Sequence, residues 1–324
     1  MPEGGLARAI VRICPGGVSQ DLPLATISRW RIGGRADLVV QPKSIFELRK
    51  LRAFIWREGL PSVVIGDASN LLFADEGLRA ICIRIGSRMA QVRIGGDDVF
   101  AEAGVWVPHF ARRLMQAGLT GAEHTCGIPG TLGGLICMNG GSQRKAIGGN
   151  VVEVTAVDPS GSVVTVHQGE CGFGYRRSVF QNNGAVVGGA WLRFGMLPGS
   201  DSAIRREMLS ILRERRLKFP RKQPNCGSVF KSNPAMYSEI GSPGSVIERL
   251  GFKGYRIGDA MVSPQHANFF VNVGHATAAD MLRLIRVVGD AVHAHTGYRM
   301  SLEVRFVTAE GQIGVAGEEA GILA

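Results

Sequence analysis

The chain lacks the fingerprints that most nucleotide-binding enzymes carry. Neither G-x-G-x-x-G nor G-x-x-x-x-G-K-[ST] occurs in its 324 residues, which argues against a Rossmann dehydrogenase and against a P-loop enzyme. There is no C-x-x-C pair. The six cysteines (Cys14, Cys82, Cys126, Cys137, Cys171 and Cys226) are scattered, which speaks against a zinc centre, any other metal site and a disulfide framework. They read as small buried side chains. Cys226, close to Ser228, is the one weighed as a nucleophile, and its spacing does not select that role. No apolar run reaches the roughly 20 residues that span a bilayer. The start, Met1-Pro2-Glu3-Gly4-Gly5, has no basic stretch leading into an apolar core, so no signal peptide is expected and the default compartment is the cytoplasm. Aromatic residues make up only 7%, with no base-stacking motif among them.

What is present describes an ordinary folded protein, with 45% apolar and 20% charged residues. The length favours two or three domains. Formal charge is +10. The densest basic run is Arg205-Arg206, Arg213, Arg215-Arg216, Lys218 and Arg221-Lys222. It reads as a solvated helix face, or as a field favouring small anionic ligands such as nucleotide diphosphates. Neither a nucleic acid nor a membrane is expected as partner.

Along the chain, residues 1–23 read as an irregular leader. Leu38–Val40 reads as a strand, and Ser44 caps a helix to about Glu58 with Ile45, Leu48, Leu51, Phe54 and Ile55 at helical spacing. A strand follows at 62–66, then the stretch from Leu78 to Val105 alternates as short strands, 80–85 and 91–94 among them, before a helix over 107–118 ended by glycine. Residues 120–150 read as a long glycine-rich loop region, which in a compact domain points to function. Strands resume at 151–157, 163–167 and 185–194. An amphipathic helix over 203–216 leads into a further domain with helices near 245–250 and 277–295 and a strand over 302–307. The tail after Ala309 reads as frayed.

Three stretches carry chemistry only when taken together. Glycine density at Gly127-Ile128-Pro129-Gly130-Thr131-Leu132-Gly133-Gly134 lets backbone N–H groups approach an anion. The loop Gly66-Asp67-Ala68-Ser69-Asn70 after a buried strand is a second such candidate. Asn225 to Lys231 presents Ser228 and Lys231 on a small-residue turn, and Leu302–Phe306 places Glu303 on an otherwise apolar strand.

The ordered succession Ile32-Gly33-Gly34, Ile65-Gly66 through Ser69-Asn70-Leu71-Leu72, Gly127-Ile128-Pro129-Gly130, Met138-Asn139-Gly140-Gly141, Gly174-Tyr175-Arg176-Arg177-Ser178, Gly227-Ser228-Val229-Phe230-Lys231 and Glu303-Val304 resembles the UDP-N-acetylenolpyruvoylglucosamine reductase family, in its shorter subclass. The likeness runs from about Leu24 to Val307. It implies an α+β architecture: a vanillyl-alcohol-oxidase-like (PCMH-type) FAD-binding region over 24–200, in two subdomains of roughly 24–88 and 89–200. A smaller α+β substrate domain over 201–308 and a flexible tail over 309–324 would follow.

The resemblance also implies non-covalent FAD, NADPH as reductant and a UDP-sugar as substrate. Hydride would go to C3 of an enolpyruvyl group and a proton to C2. The residues it assigns to FAD are Ile32, Gly33, Gly34, Ile65, Gly66, Asp67, Ala68, Ser69, Asn70, Leu71, Gly127, Ile128, Pro129, Gly130, Gly133, Gly134, Asn139 and Gly140. It assigns Arg176 to the substrate carboxylate, Ser228 to proton donation and Glu303 to polarising the same group. Those roles suit a reaction that builds charge on a carboxylate. An arginine holds it in bidentate fashion, and a serine, being a weak acid, needs a neighbour such as Lys231 or Glu303. Tyr175, Lys218, Lys231, Asn233, Tyr255, Gln265, His266 and Asn268 are candidates to line the UDP-sugar pocket. The plain structural readings are a turn serine, a surface ion pair for the arginine and a hydrogen-bonded core histidine for His266. No histidine falls in the 66–70 loop, so nothing there supports covalent flavin.

The chain departs from the family pattern at Asp67 and Ala68, where a glycine-richer turn is usual, at Ser232, at Asp259, and at Cys126 and Cys226. Three other readings therefore stay open: a paralogue reducing a related enolpyruvyl sugar nucleotide, a flavin oxidase of the same fold, and a binding protein without turnover.

Overall fold

In the computed structural model the described residues are 3–196, 201–232 and 234–315. The chain divides into two compact units, each assembled from separate stretches. Met1–Gln20, Leu38–Asp67 and Ile81–Arg215 make the first; Asp21–Asp37, Ala68–Ala80 and Arg216–Ala324 make the second. This is not the sequential division expected from the sequence.

In the first unit, strands Arg35–Val40 and Ser62–Ile65 both run parallel to Ile81–Arg84, so Val39 and Val63 flank Cys82. The helix Ile45–Arg57 connects two of these strands, and Ser44 accepts its first-turn amide from Glu47. A second sheet is antiparallel throughout, in the order Val163–His167, Val151–Val157, Val186–Arg193, Asp98–Glu102 and Val92–Gly95. One cross-strand row traverses it in register: His167, Glu153, Trp191, Phe100, Arg93. Trp191 and Phe100 rings meet at 5.4 Å, and such pairs are the unit of sheet stabilisation. The core of this unit draws on both sheets, the helix Val107–Gln116 and the short helix Leu132–Cys137.

In the second unit, Arg305–Val307 pairs in parallel with Leu71–Phe73 and antiparallel with Ile313–Val315. A hairpin of Arg256–Ile257 and Ala260–Val262 continues into Phe270–Asn272. The helices Pro243–Arg249 and Ala278–Thr296 pack here around Trp30, Phe230 and Phe270. Trp30 Nε1 donates to the Phe270 carbonyl at 2.8 Å.

Four expectations are corrected. The leader is a helix, Glu3–Ile13, and a strand, Val18–Pro23; Ala7 and Ile10 of the helix, and Cys14 just after it, are buried in the first core. The 120–150 region contains the helix Leu132–Cys137 and 3-10 turns at Glu123–Thr125 and Ile147–Gly149. The helix Pro234–Glu239 and the 256–262 hairpin were not foreseen. Part of the expected flexible tail is the paired strand Ile313–Val315; residues 316–324 lie outside the described residues. Among the described residues no helix is long and apolar enough to cross a membrane.

Candidate active site

Gly66, at the start of the first glycine-rich loop, meets Thr131 of the second within the first unit. A Cβ built on Gly66 would lie 2.3 Å from Thr131 Oγ1, so only glycine allows this approach. Thr131 caps the helix Leu132–Cys137, its hydroxyl accepting from the Gly134 amide at 3.4 Å. Among the described residues, the amides of Gly66, Gly130 and Thr131 in the first unit donate no hydrogen bond, and neither do those of Ala68, Ser69 and Asn70 in the second. Unused backbone donors on a close-packed turn are what a diphosphate requires, and Ala68 at φ +50 adds a left-handed residue to that turn. The residues present therefore fit FAD.

Other members of the expected FAD set are committed internally. Gly133 donates to the Ala103 carbonyl at 2.8 Å, and a Cβ there would meet Ala103 Cβ at 2.8 Å. Ile128 donates to Thr125 and Gly140 to Leu135. Asn139 is buried at φ +41; its Nδ2 donates to Gly174 and its Oδ1 accepts from Gly148. Ile65 is buried at the end of the strand Ser62–Ile65, and Pro129 directly precedes Gly130 in the second loop. In the second unit Ile32 is buried, Gly33 packs on Phe73 and Gly34 on the backbone of Asp75. Leu71 opens the strand beside Glu303, and its carbonyl accepts from the Cys226 thiol.

Arg176 sits at the third position of a four-residue turn closed by Gly174 and Arg177, with φ +54. A non-glycine residue in that conformation costs about 1–3 kcal/mol and tends to mark function. The turn is tied to the helix Leu132–Cys137, since Ser178 and Gln181 both donate to the Cys137 carbonyl. Nη1 and Nη2 of Arg176 each reach the Gly141 carbonyl at 3.4 Å, long bonds that a carboxylate would outcompete. Tyr175 beside it is exposed, with the Arg176 guanidinium 5.6 Å from its ring centre.

Ser228 and Glu303 belong to the second unit, on neighbouring extended segments. Glu303 donates its amide to Val229 at 2.8 Å and Lys231 donates to Ser301 at 2.8 Å. Asn70 Nδ2 donates to the Glu303 carbonyl at 2.9 Å. Asn70 is thus both part of the candidate FAD turn and a brace for the acid, a link the sequence did not disclose.

The expected pocket residues divide. Asn268 is buried against Phe230. Gln265 donates to the carbonyls of Arg216 and Leu217 at the end of the helix Asp201–Lys218, a capping role. His266 Nδ1 accepts from the Asn268 amide, and burial, with Lys218 and Lys253 nearby, pushes its pKa down to about 4. It is neutral at physiological pH. Tyr255 packs on Phe252, and Lys218 is exposed beside Phe219. Asn233 lies outside the described residues.

Sequence reasoning passed over His124. It is buried, and its pKa is lowered by burial and then by Lys145, against a smaller pull from Glu123 and from the Gly121 backbone. At 2% exposure it has no surface to offer a ligand. Four of the six thiols are inert: burial pushes Cys14 and Cys82 up to about 12, and Cys126 and Cys171 up to about 11. Among the described residues no cluster of three metal-ligating side chains exists.

The FAD binding domain family matches residues 36–167, which makes this chain an FAD-binding protein. The C-terminal domain of UDP-N-acetylenolpyruvoylglucosamine reductase matches residues 219–307. UDP-N-acetylenolpyruvoylglucosamine reductase 1 of Corynebacterium glutamicum is 42% identical over 300 residues, 93% of this chain and 89% of that protein. Reductase 2 of Symbiobacterium thermophilum is 37% identical, covering 94% and 96%. The crystal structure of the reductase from Thermus caldophilus superposes with a TM-score of 0.76 at 31% identity, over 89% of this chain and 98% of that one. The chain belongs to the UDP-N-acetylenolpyruvoylglucosamine reductase family.

Proposed function

We propose that the protein reduces UDP-N-acetylglucosamine-enolpyruvate to UDP-N-acetylmuramate with NADPH, as a cytoplasmic step in peptidoglycan precursor synthesis. The reading is supported by family matches at both ends of the chain. The single observation that carries it is the pairing of the Ser228 segment with the Glu303 segment. A serine and an acid distant in sequence are held on adjacent backbones.

The chemistry FAD supplies when bound is hydride transfer, from NADPH and then to C3 of the enolpyruvyl group. The amides of Gly66, Ala68, Ser69, Asn70, Gly130 and Thr131 would hold its diphosphate. Arg176 would bind the substrate carboxylate, where negative charge grows as hydride arrives; a cation placed there lowers the barrier. Ser228 would deliver the proton to C2, and Glu303 would polarise the carboxylate. Lys231, half-buried three residues after Ser228, is the cation nearest in sequence to help the serine lose its proton. Tyr175, Lys218, Asn233 and Tyr255 are kept as candidates for the UDP-sugar, whereas the bonds of Gln265 favour a capping role.

Substituting Ser228→Ala is expected to leave the yellow colour and reduction of the flavin by NADPH intact. Substrate-dependent NADPH oxidation should fall by about two to four orders of magnitude. A variant that turns over like the parent would remove Ser228 from the proton step. An oxygen-consumption trace separates the oxidase reading, which requires rapid uptake of oxygen without the sugar.

A further inference from the structure

The Ser228 segment follows its path because a buried side chain pairs with it as a strand would. Asn268 is 4% exposed. Its Nδ2 donates to the Phe230 carbonyl and its Oδ1 accepts from the Phe230 amide, both at 2.9 Å. Its own carbonyl accepts from the Val229 amide at 2.9 Å, and Ser228 bridges to Phe269. On the opposite edge, Val229 accepts from Glu303. One asparagine therefore satisfies both polar groups of a residue that is itself 2% exposed, where an unpaired group is costly.

Asn268 is in turn held firmly. Its amide donates to His266 Nδ1 at 3.2 Å. The turn that carries it is closed by Phe269 N–H to the His266 carbonyl at 2.9 Å and by Ser263 N–H to the Phe269 carbonyl at 2.8 Å. The Phe219 and Phe269 rings stack at 4.7 Å beside it. Both ends of the amide are engaged with Phe230, so Asn268 has little left to give a sugar nucleotide.

We propose that Asn268 is a positioning residue for proton delivery: acting through Phe230 and Val229, it sets the Ser228 hydroxyl and touches neither substrate nor flavin. The inference rests on the reading that Ser228 protonates C2. Reduction of the flavin by NADPH needs no such proton, so the two half-reactions separate this role from a general structural one.

The test is anaerobic stopped-flow on FAD-loaded protein. Asn268→Asp keeps the shape but turns a carboxylate oxygen toward the Phe230 carbonyl. Bleaching by NADPH and FAD content should stay near the parent's, as should substrate affinity read from the flavin spectrum. Recovery of colour on adding UDP-N-acetylglucosamine-enolpyruvate should slow by about 100-fold, the cost of a misplaced group. In a Ser228→Ala background the same substitution should add almost nothing, because residues acting as a unit are not additive. Should Asn268→Asp fail to fold with FAD, the same split is expected of Asn268→Ser, which removes both bonds to Phe230 without burying a charge. Equal losses in both half-reactions, or a full further loss on top of Ser228→Ala, would overturn the proposal. So would weakened substrate binding with normal recovery at saturation, which would make Asn268 a pocket residue. A Ser228→Ala protein that recovers at the parent's rate would instead sink the reading on which the proposal stands, whatever Asn268 does.

Discussion

Gly66 and Ala68 stand two residues apart on one turn under opposite constraints. At Gly66 the limit is space. Thr131 Oγ1 would be 2.3 Å from an added Cβ and cannot step aside without releasing the Gly134 amide. Gly66→Ala is expected to cost about 1–3 kcal/mol, the usual range for overpacking, and to lower flavin content; a melting curve and the absorbance of the purified protein read both. At Ala68 the limit is the backbone. Its φ of +50 costs a non-glycine residue about 1–2 kcal/mol, while glycine gives back about 0.4–1 kcal/mol through the unfolded chain. Ala68→Gly should therefore hold or raise Tm, and a clear fall would mean the buried methyl matters more than the strain. The glycine-rich character of both loops was legible in the sequence, and so was the oddity of Ala68. Which glycines hold open amides was not, because Gly133 and Gly134 differ from Gly130 only in the partners that the fold brings to them.

At the scale of elements, the 263–269 turn joins a pH-sensitive group to the candidate proton donor. His266 has its pKa lowered from an ordinary 6.5 to about 4, first by burial and then by Lys218 and Lys253. The unfolded chain thus binds the proton more readily, and stability is complete above about pH 6.5. It is lost as pH falls from there toward 4. Protonating Nδ1 would also set a donor against the Asn268 amide. His266→Asn, whose Oδ1 still accepts, should flatten this decline when Tm is followed from pH 7 to pH 5; an unchanged slope would assign the decline to other groups, His124 among them. Amphipathic helices such as Ile45–Arg57 and Ala278–Thr296 were visible from their periodicity and their caps, Ser44 and Thr277. The helix Glu3–Ile13 had a signal too, since Ala7, Ile10 and Cys14 recur at helical spacing. The helix Leu132–Cys137 was hidden by its glycines, poor helix formers that packing against Ala103 makes tolerable.

For the whole molecule, the interleaving of the two units was out of reach of local pattern. Residues 21–37 and 68–80 join the second unit through long-range bonds. Trp30 binds Phe270, and Leu71–Phe73 runs parallel to Arg305–Val307. Neither contact leaves a mark on the neighbouring sequence. Arg176 belongs to the first unit, whereas Ser228 and Glu303 belong to the second. The order of motifs along the chain nevertheless carried the family assignment, because it survives whatever path the backbone takes between them. Whether one flavoprotein performs two half-reactions is read directly by an anaerobic titration followed by mass analysis. NADPH is expected to bleach the flavin, UDP-N-acetylglucosamine-enolpyruvate to restore its colour, and the sugar nucleotide to gain two hydrogens. Bleaching that this substrate cannot reverse, or a purified protein that carries no flavin and takes up none, would contradict the proposed function.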